Sequence, residues 1–382
     1  MEAAFVAPKR CFMHAFIIHN SRFIILLLLL SRPLLAEEAQ PIAEFKARVG
    51  TITASAISAD GKFLFTGEDY GQVTLWNIAS GTSAGTYMGH TRSVLAAALL
   101  PDGKRGITCG DDNLVIVWDL ATGKRLHEMH TGDSIPWVMS CSGDRGLAAT
   151  GCNDGQIMVW EPATGRLVTT LSHPAGTCSL SFSPDSKVLA AGYSDGQVIL
   201  WATSDWSQKH ILPSADGANV GALAFSTDSR LLATGNQNGA GFVWKIADGR
   251  PVSHFAGYDN PETVPTAPVA PVFPGSTITP ENRGSIVFLC FNPDASVLFA
   301  STQDNIPRFW DAKAGRLLGI ADWYSYKDID SRFYIPRFGF TFATAAVTPK
   351  RDLIVTLRKN GDQDDFVAQV WRMSFTPSPP KQ

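Results

Sequence analysis

Tryptophan recurs along this chain at Trp76, Trp118, Trp160, Trp201, Trp244, Trp310 and Trp371. The gaps are 42, 42, 41, 43, 66 and 61 residues. A period near 42 constrains the fold more than any other feature, because so short a unit cannot bury its apolar face alone and must stack on its neighbours. Two further markers keep the same phase. An aspartate precedes each of the first six tryptophans by 16 residues: Asp60, Asp102, Asp144, Asp185, Asp228 and Asp294. Their surroundings (SADG, LPDG, SPDS) are turn-forming. Six residues before tryptophan stand Asp112, Asp154, Asp195, Asn238, Asp304 and Asp365; only the first unit departs, with Tyr70 there and Asp69 beside it.

Each unit reads as short strands separated by turns. In the fourth, Cys178–Phe182 alternates small or polar with apolar residues, SPDS turns, Val188–Ala191 runs back, SDG turns again, and Gln197–Trp201 is the third strand. Period-two alternation between Asp/Gly turns is the signature of antiparallel hairpins. A fourth strand is expected after each of the first six tryptophans, beyond turns such as ATGKR and ATGRL. This pattern resembles the WD-repeat (WD40) β-propeller family over about residues 42–374. Trp118-Asp119, Trp310-Asp311 and Gly89-His90 are the only literal Trp-Asp and Gly-His pairs, so the resemblance rests on seven copies in phase. It implies an all-β fold, one seven-bladed β-propeller of four-stranded antiparallel blades. No outer strand can follow Trp371, because Pro377, Pro379 and Pro380 come soon after it. Ile42–Val49 precedes the first unit and has no blade of its own. The N-terminal strand is therefore expected to complete the last blade and close the ring, the habit of that family, which removes open sheet edges.

The first 36 residues read as an export signal. Lys9, Arg10 and Arg22 precede an apolar run, Phe23 to Ser31, that Arg32 ends after 9 residues. A membrane span needs about 20. Ala36 suits the position before a cut, and Met13 is an alternative start. Losing residues 1–36 leaves 28 basic and 34 acidic residues, net −6, which argues against binding nucleic acid through a basic surface. The expected domains are a signal peptide over 1–36, a propeller over 37–374 with insertions at 257–284 and 322–339, and a Pro-rich tail over 375–382. No Asn-x-Ser/Thr sequon occurs, which favours a bacterial periplasm over a eukaryotic secretory route. The expected location is the periplasm or the extracellular space, with no membrane span once the signal is removed.

Little in the sequence points to catalysis. In the resembled family a His, a Ser/Thr, an Asp and the Trp form a hydrogen-bonded tetrad, which His90, Thr108, Asp112 and Trp118 would supply in the second unit. Unit four has His173, Asp195 and Trp201 but Ala191 in place of the hydroxyl; units three and five keep Thr150 and Thr234 without a His. A His/hydroxyl/Asp group imitates a catalytic triad, but its recurrence beside a structural Trp favours a structural role. Cys109, Cys141, Cys152, Cys178 and Cys290 lack any Cys-x-x-Cys spacing and read as small buried residues. His127 and His130, three apart on a strand, fall on opposite faces. No catalytic residue, metal ligand or cofactor is expected.

The chemistry that remains is binding. The insertion 257–284 carries six prolines, as a docking loop or a surface embellishment. The insertion 322–339 mixes Trp323, Tyr324, Tyr326, Phe333, Tyr334 and Phe338 with Lys327, Arg332 and Arg337, the composition of an interface hot spot or of a satellite core. Trp137 stands where other units have Thr53, Leu95, Cys178, Gly221, Val287 and Ala343, at the opening of the innermost strand, as an anchor or a space-filler. The expected function is an exported scaffold that holds a protein or peptide partner through loops on one face. The alternatives are a propeller enzyme (lyase, lactonase or cofactor-dependent dehydrogenase) and an accessory subunit of an exported complex.

Overall fold

Strands joined by only a few residues pair antiparallel with their sequence neighbours, and that rule generates the first six sheets. The computed structural model describes residues 43–46, 50–213, 217–256, 285–302, 307–320, 353–359 and 366–372. Strand β1 (Ala43–Lys46) comes first. The first sheet holds β2 (Ile52–Ile57), β3 (Phe63–Glu68), β4 (Gln72–Asn77) and β5 (Thr82–Met88). The second holds β6 (Val94–Leu99), β7 (Arg105–Gly110), β8 (Leu114–Asp119) and β9 (Arg125–His130). The third holds β10 (Pro136–Cys141), β11 (Ala148–Cys152), β12 (Gln156–Glu161) and β13 (Arg166–Ser172). The fourth holds β14 (Thr177–Phe182), β15 (Val188–Tyr193), β16 (Val198–Ala202) and β17 (Gln208–Leu212). The fifth holds β18 (Val220–Phe225), β19 (Leu231–Asn236), β20 (Ala240–Lys245) and β21 (Pro251–Ala256). The sixth holds β22 (Ile286–Phe291), β23 (Val297–Thr302), β24 (Pro307–Asp311) and β25 (Leu317–Ile320).

The remaining sheet joins the two ends of the described chain. Its order is β1, then β27 (Phe366–Arg372), then β26 (Leu353–Lys359). Ala43 faces Val370 and Lys46 faces Val367 across an antiparallel ladder. The N-terminal strand therefore sits outside the last Trp-bearing strand, as the sequence predicts.

The phased aspartates are turn builders. Asp102 accepts the backbone N–H groups of Lys104 at 2.9 Å and Arg105 at 3.1 Å between β6 and β7. In the first sheet Ser58 donates to Asp60 at 2.6 Å while its oxygen accepts the Phe63 N–H. Ser183 with Asp185 and Ser226 with Asp228 repeat that pair.

The described core lies between sheets. One cluster joins Phe45, Ala368 and Val370 of the last sheet to Ile52, Leu64 and Trp76 of the first. Others link the first sheet to the second, the second to the third, the third to the fourth, the fourth to the fifth and the fifth to the sixth. The first strands of successive sheets lie side by side, β2 with β6 and so on to β18 with β22. Repeated antiparallel sheets stacked in chain order are an all-β arrangement consistent with a β-propeller.

Candidate functional site

The second sheet contains the His/hydroxyl/Asp set, and its geometry decides what that set can do. The Trp118 indole N–H donates to Thr108 Oγ1 at 2.8 Å. Thr108 Oγ1 lies 2.8 Å from His90 Nε2, and His90 Nδ1 lies 2.9 Å from Asp112. Burial alone would raise the Asp112 carboxyl, but bonds from His90 and the N–H of Thr91 and Leu114 hold it below the usual carboxylate range. The ionised Asp112 accepts the Nδ1 proton, so Nε2 accepts the Thr108 hydroxyl proton. Thr108 and Trp118 are fully buried, and His90 is nearly so. Each polar proton of the relay, on Trp118, Thr108 and His90, has an acceptor within it. Gly89 precedes His90 because a Cβ there would come within 2.6 Å of the Trp118 ring.

Other sheets keep the Trp contact and exchange the rest. Trp76 donates to Thr66, Trp160 to Thr150 and Trp244 to Thr234, at 2.9, 2.9 and 3.0 Å. In the first sheet, where Tyr70 replaces the aspartate, the buried Glu68 carboxylate accepts from Gln72 at 3.0 Å and Thr74 at 3.3 Å. In the third, Ser134 donates to Asp154 at 2.6 Å from the loop before β10, as His90 meets Asp112 from the loop before β6. Neither Glu68 nor Ser134 follows from the motif, although Ser134 lies 20 residues before Asp154, close to the His90–Asp112 spacing. In the fourth, His173 meets Asp195 at 2.9 Å and stacks 4.1 Å from the Tyr193 ring. The fourth and sixth sheets carry Ala191 and Ala300 where a hydroxyl belongs, and the buried Trp310 indole nitrogen has no hydrogen-bond partner among the described residues.

Trp137 proves to be a bulge residue. The ladder between β10 and β11 skips it, passing from Pro136 to Val138. Thr53, Leu95, Cys178, Gly221 and Val287 are skipped in the same way in their own sheets. A bulge turns local backbone groups out of the ladder, and the neighbouring sheet meets them. The Trp137 indole N–H donates to the carbonyl of Thr177 in the next sheet. Thr53 donates to the Val94 carbonyl at 2.6 Å, and Ser179 to that of Val220 at 2.7 Å. Trp137 thus ties two sheets together and is half-buried. Among the described residues the surface near the β3–β4 turn presents one large exposed aromatic, Tyr70.

Trp323, Tyr324, Tyr326, Arg332, Tyr334 and Arg337 lie outside the described residues, as do the insertion 257–284 and residues 1–36. Burial pushes the thiols of Cys141, Cys152 and Cys178 up to about 12 and raises that of Cys109 well above its ordinary value, so none is a thiolate near neutrality. Among the described residues no group of three His, Cys, Asp or Glu side chains could hold a metal, and no helix is long and apolar enough to cross a membrane.

No curated protein matches the chain. Comparison with protein families matches WD40, described as WD domain, G-beta repeat, at residues 39–77, 81–119, 123–161, 165–202 and 206–245. Each matched segment starts with the outer strand of one sheet and ends just past the Trp of the next, as β1 with β2–β4 illustrates. With five such repeats over just over half of the chain, and Trp–Thr hydrogen bonds inside them, the protein belongs to the WD40-repeat family.

Proposed function

We propose that this protein is an exported, non-catalytic scaffold: a closed seven-bladed propeller that holds a protein or peptide partner through loops on one face. The carrying observation is where the reactive-looking side chains go. His90, Thr108, Asp112, Glu68, Asp154 and Asp195 are engaged inside or between strands, where they hold turns and sheets together. A rigid ring leaves variation to its loops, and binding residues concentrate on loops held by a rigid scaffold. Ring closure is supported by β1 pairing with β27 and by the shared core of Phe45, Val370, Ile52 and Trp76.

The partner-gripping residues in this reading are Trp323, Tyr324, Tyr326, Arg332, Tyr334 and Arg337, with Trp137 as a further anchor. Export is supported by the short apolar run between Arg22 and Arg32. The test is affinity capture from the exported fraction, with intact mass measured on the same material. The mature chain should begin within a few residues of Glu37. Replacing Trp323 and Tyr324 by Ala should weaken capture at least about tenfold, roughly 1.4 kcal/mol, at an unchanged melting temperature. Lower stability with capture intact would make the insertion a satellite core; retention of residues 1–36 would end the export reading.

A further inference from the structure

The second strand of each of the first six sheets carries a small residue at one repeated place, opposite the residue that follows the bulge. It is Gly67, Cys109, Gly151, Gly192, Gly235 and Ser301 in turn. Close approach explains the glycines. A Cβ at Gly67 would run into Val94, one at Gly192 into Val220, and those at Gly151 and Gly235 would meet Thr177 and Ile286 at 2.5 Å. Each obstacle is the first residue of the next sheet's first strand.

The second sheet puts a thiol at this place. Cys109 is fully buried, in the cluster that holds Ala148 and Trp160 of the third sheet. By the same register its side chain is directed at Pro136, the first residue of β10. Pro136 pairs across its ladder with Cys152, and residues paired in this way share one face of the sheet. Alternation along β11 gives the same face: Ala148, Thr150 and Cys152 lie together, and Ala148 belongs to the cluster shared with the second sheet. Cys109 therefore faces the third sheet, Cys152 faces the second, and the two meet at the same level of the seam. The Cys109 thiol is raised first by its burial and next by the neighbouring Cys152, with Cys141 acting more weakly.

We propose that Cys109 and Cys152 are a modification site: they are oxidised to a disulfide that locks the second sheet to the third. A disulfide needs Cβ atoms about 4 Å apart, and neighbouring sheets approach so closely at this level that four of them need glycine there. Both residues are thiols in the structure. On oxidation each S–H bond breaks and one S–S bond forms. The oxidant is a second disulfide, that of a thiol-exchange protein or of oxidised glutathione. It opens to two thiols and takes up the two electrons and two protons. The proposal draws on the export reading only for where such an oxidant is met, and it is independent of the loop face.

Burial sets the timing. A thiol held above its ordinary range and shut away from solvent exchanges slowly. The link forms while the two sheets are still assembling, and the finished core then shields it from reductants. The two cysteines are 43 residues apart in the chain, so the bond also closes a long loop and removes conformations from the unfolded state. Oxidation thus braces a seam that the strand ladders leave to side-chain packing, since no ladder joins the second sheet to the third among the described residues.

The test synthesises the full chain cell-free, once in a glutathione redox buffer and once in excess reductant, and alkylates free thiols after unfolding. From the oxidised chain trypsin should release residues 106–124 joined to residues 146–166, each holding one cysteine, while Cys141, Cys178 and Cys290 are found alkylated. The oxidised chain should melt at least about 5 °C above the reduced one. Cys109→Ala and Cys152→Ala should each abolish the linked peptides and that difference, whereas Cys141→Ala should keep both. Cys109 found alkylated in the oxidised chain, Cys109 joined to Cys141, or equal melting of the two preparations overturns the proposal. Cell-free synthesis bypasses export, so retention of residues 1–36 in exported material and absence of this bond are read separately.

Discussion

Thr108→Val isolates the centre of the relay in the second sheet. The hydroxyl is fully buried, accepts the Trp118 N–H at 2.8 Å and donates to His90 Nε2 at 2.8 Å. Valine keeps the shape and leaves both partners buried and unmatched. Each orphaned group costs about 1–3 kcal/mol. The added methyl returns about 1 kcal/mol of apolar burial. The net expectation is a loss of about 1–5 kcal/mol. Thr66→Val in the first sheet is the internal control, because Thr66 accepts the Trp76 N–H and donates to the Thr74 carbonyl at 3.3 Å, a long bond to a group already in the sheet. It should cost about half as much. Urea unfolding followed by tryptophan fluorescence and circular dichroism, compared at constant slope, reads both. A Thr108→Val chain within about 0.5 kcal/mol of its parent, or a costlier Thr66→Val, refutes the claim that the hydroxyl serves two buried groups.

The converse change fills a gap: Ala300→Ser gives the buried Trp310 indole an acceptor and should raise stability by about 0.5–1.5 kcal/mol, read by thermal melting. Acid should unfold the protein through its turn carboxylates. At Asp102, Asp112, Asp154 and Asp185 burial pushes the carboxyl up, but hydrogen bonds outweigh it and hold each below 3.8. Their folded values lie below the unfolded ones, so the stabilisation is complete above about pH 4 and lost as pH falls through the folded values; Asp112→Asn should flatten that fall in urea midpoints. His173 acts at higher pH: burial lowers its imidazole below 6.5, against the pull of Asp195. The unfolded chain then takes the proton first, so stability should begin to drop below about pH 6.5, and His173→Gln should remove that step. Truncating Phe45, 1 % exposed in the cluster shared by the last and first sheets, to Ala should cost about 3–5 kcal/mol. Deleting residues 42–49 should cause aggregation by uncovering β27, and unchanged melting would refute its place in the core.

Much of this was legible from the chain alone, for a physical reason. Alternation, turn chemistry and capping are local, so each strand and each Asp turn declares itself within a dozen residues. Repetition extends that reach: the 22-residue spacing of His90 and Asp112 recurs in His173 and Asp195, which makes a long-range hydrogen bond readable. The expectation that the N-terminal strand completes the last sheet is met over Ala43–Lys46, which pair with β27. The missing hydroxyl of the fourth unit was readable at Ala191, whereas the unmatched Trp310 indole was not singled out by the sequence.

Other features exist only once sheets have packed. Glu68 replaces an absent aspartate from a different position of the hairpin, because burial needs a matched acceptor and not a particular residue. Trp137 was visible as an odd residue at a repeated position, but a bulge is defined against the partner strand, and its bond to Thr177 crosses to another sheet. Cys109 looks in sequence like one cysteine among several. Only the packing of the second sheet on the third turns it toward Cys152. Sequence determines what each segment can become by itself. Tertiary packing decides which side chain supplies a buried partner, because that depends on distances between sheets that no local pattern encodes.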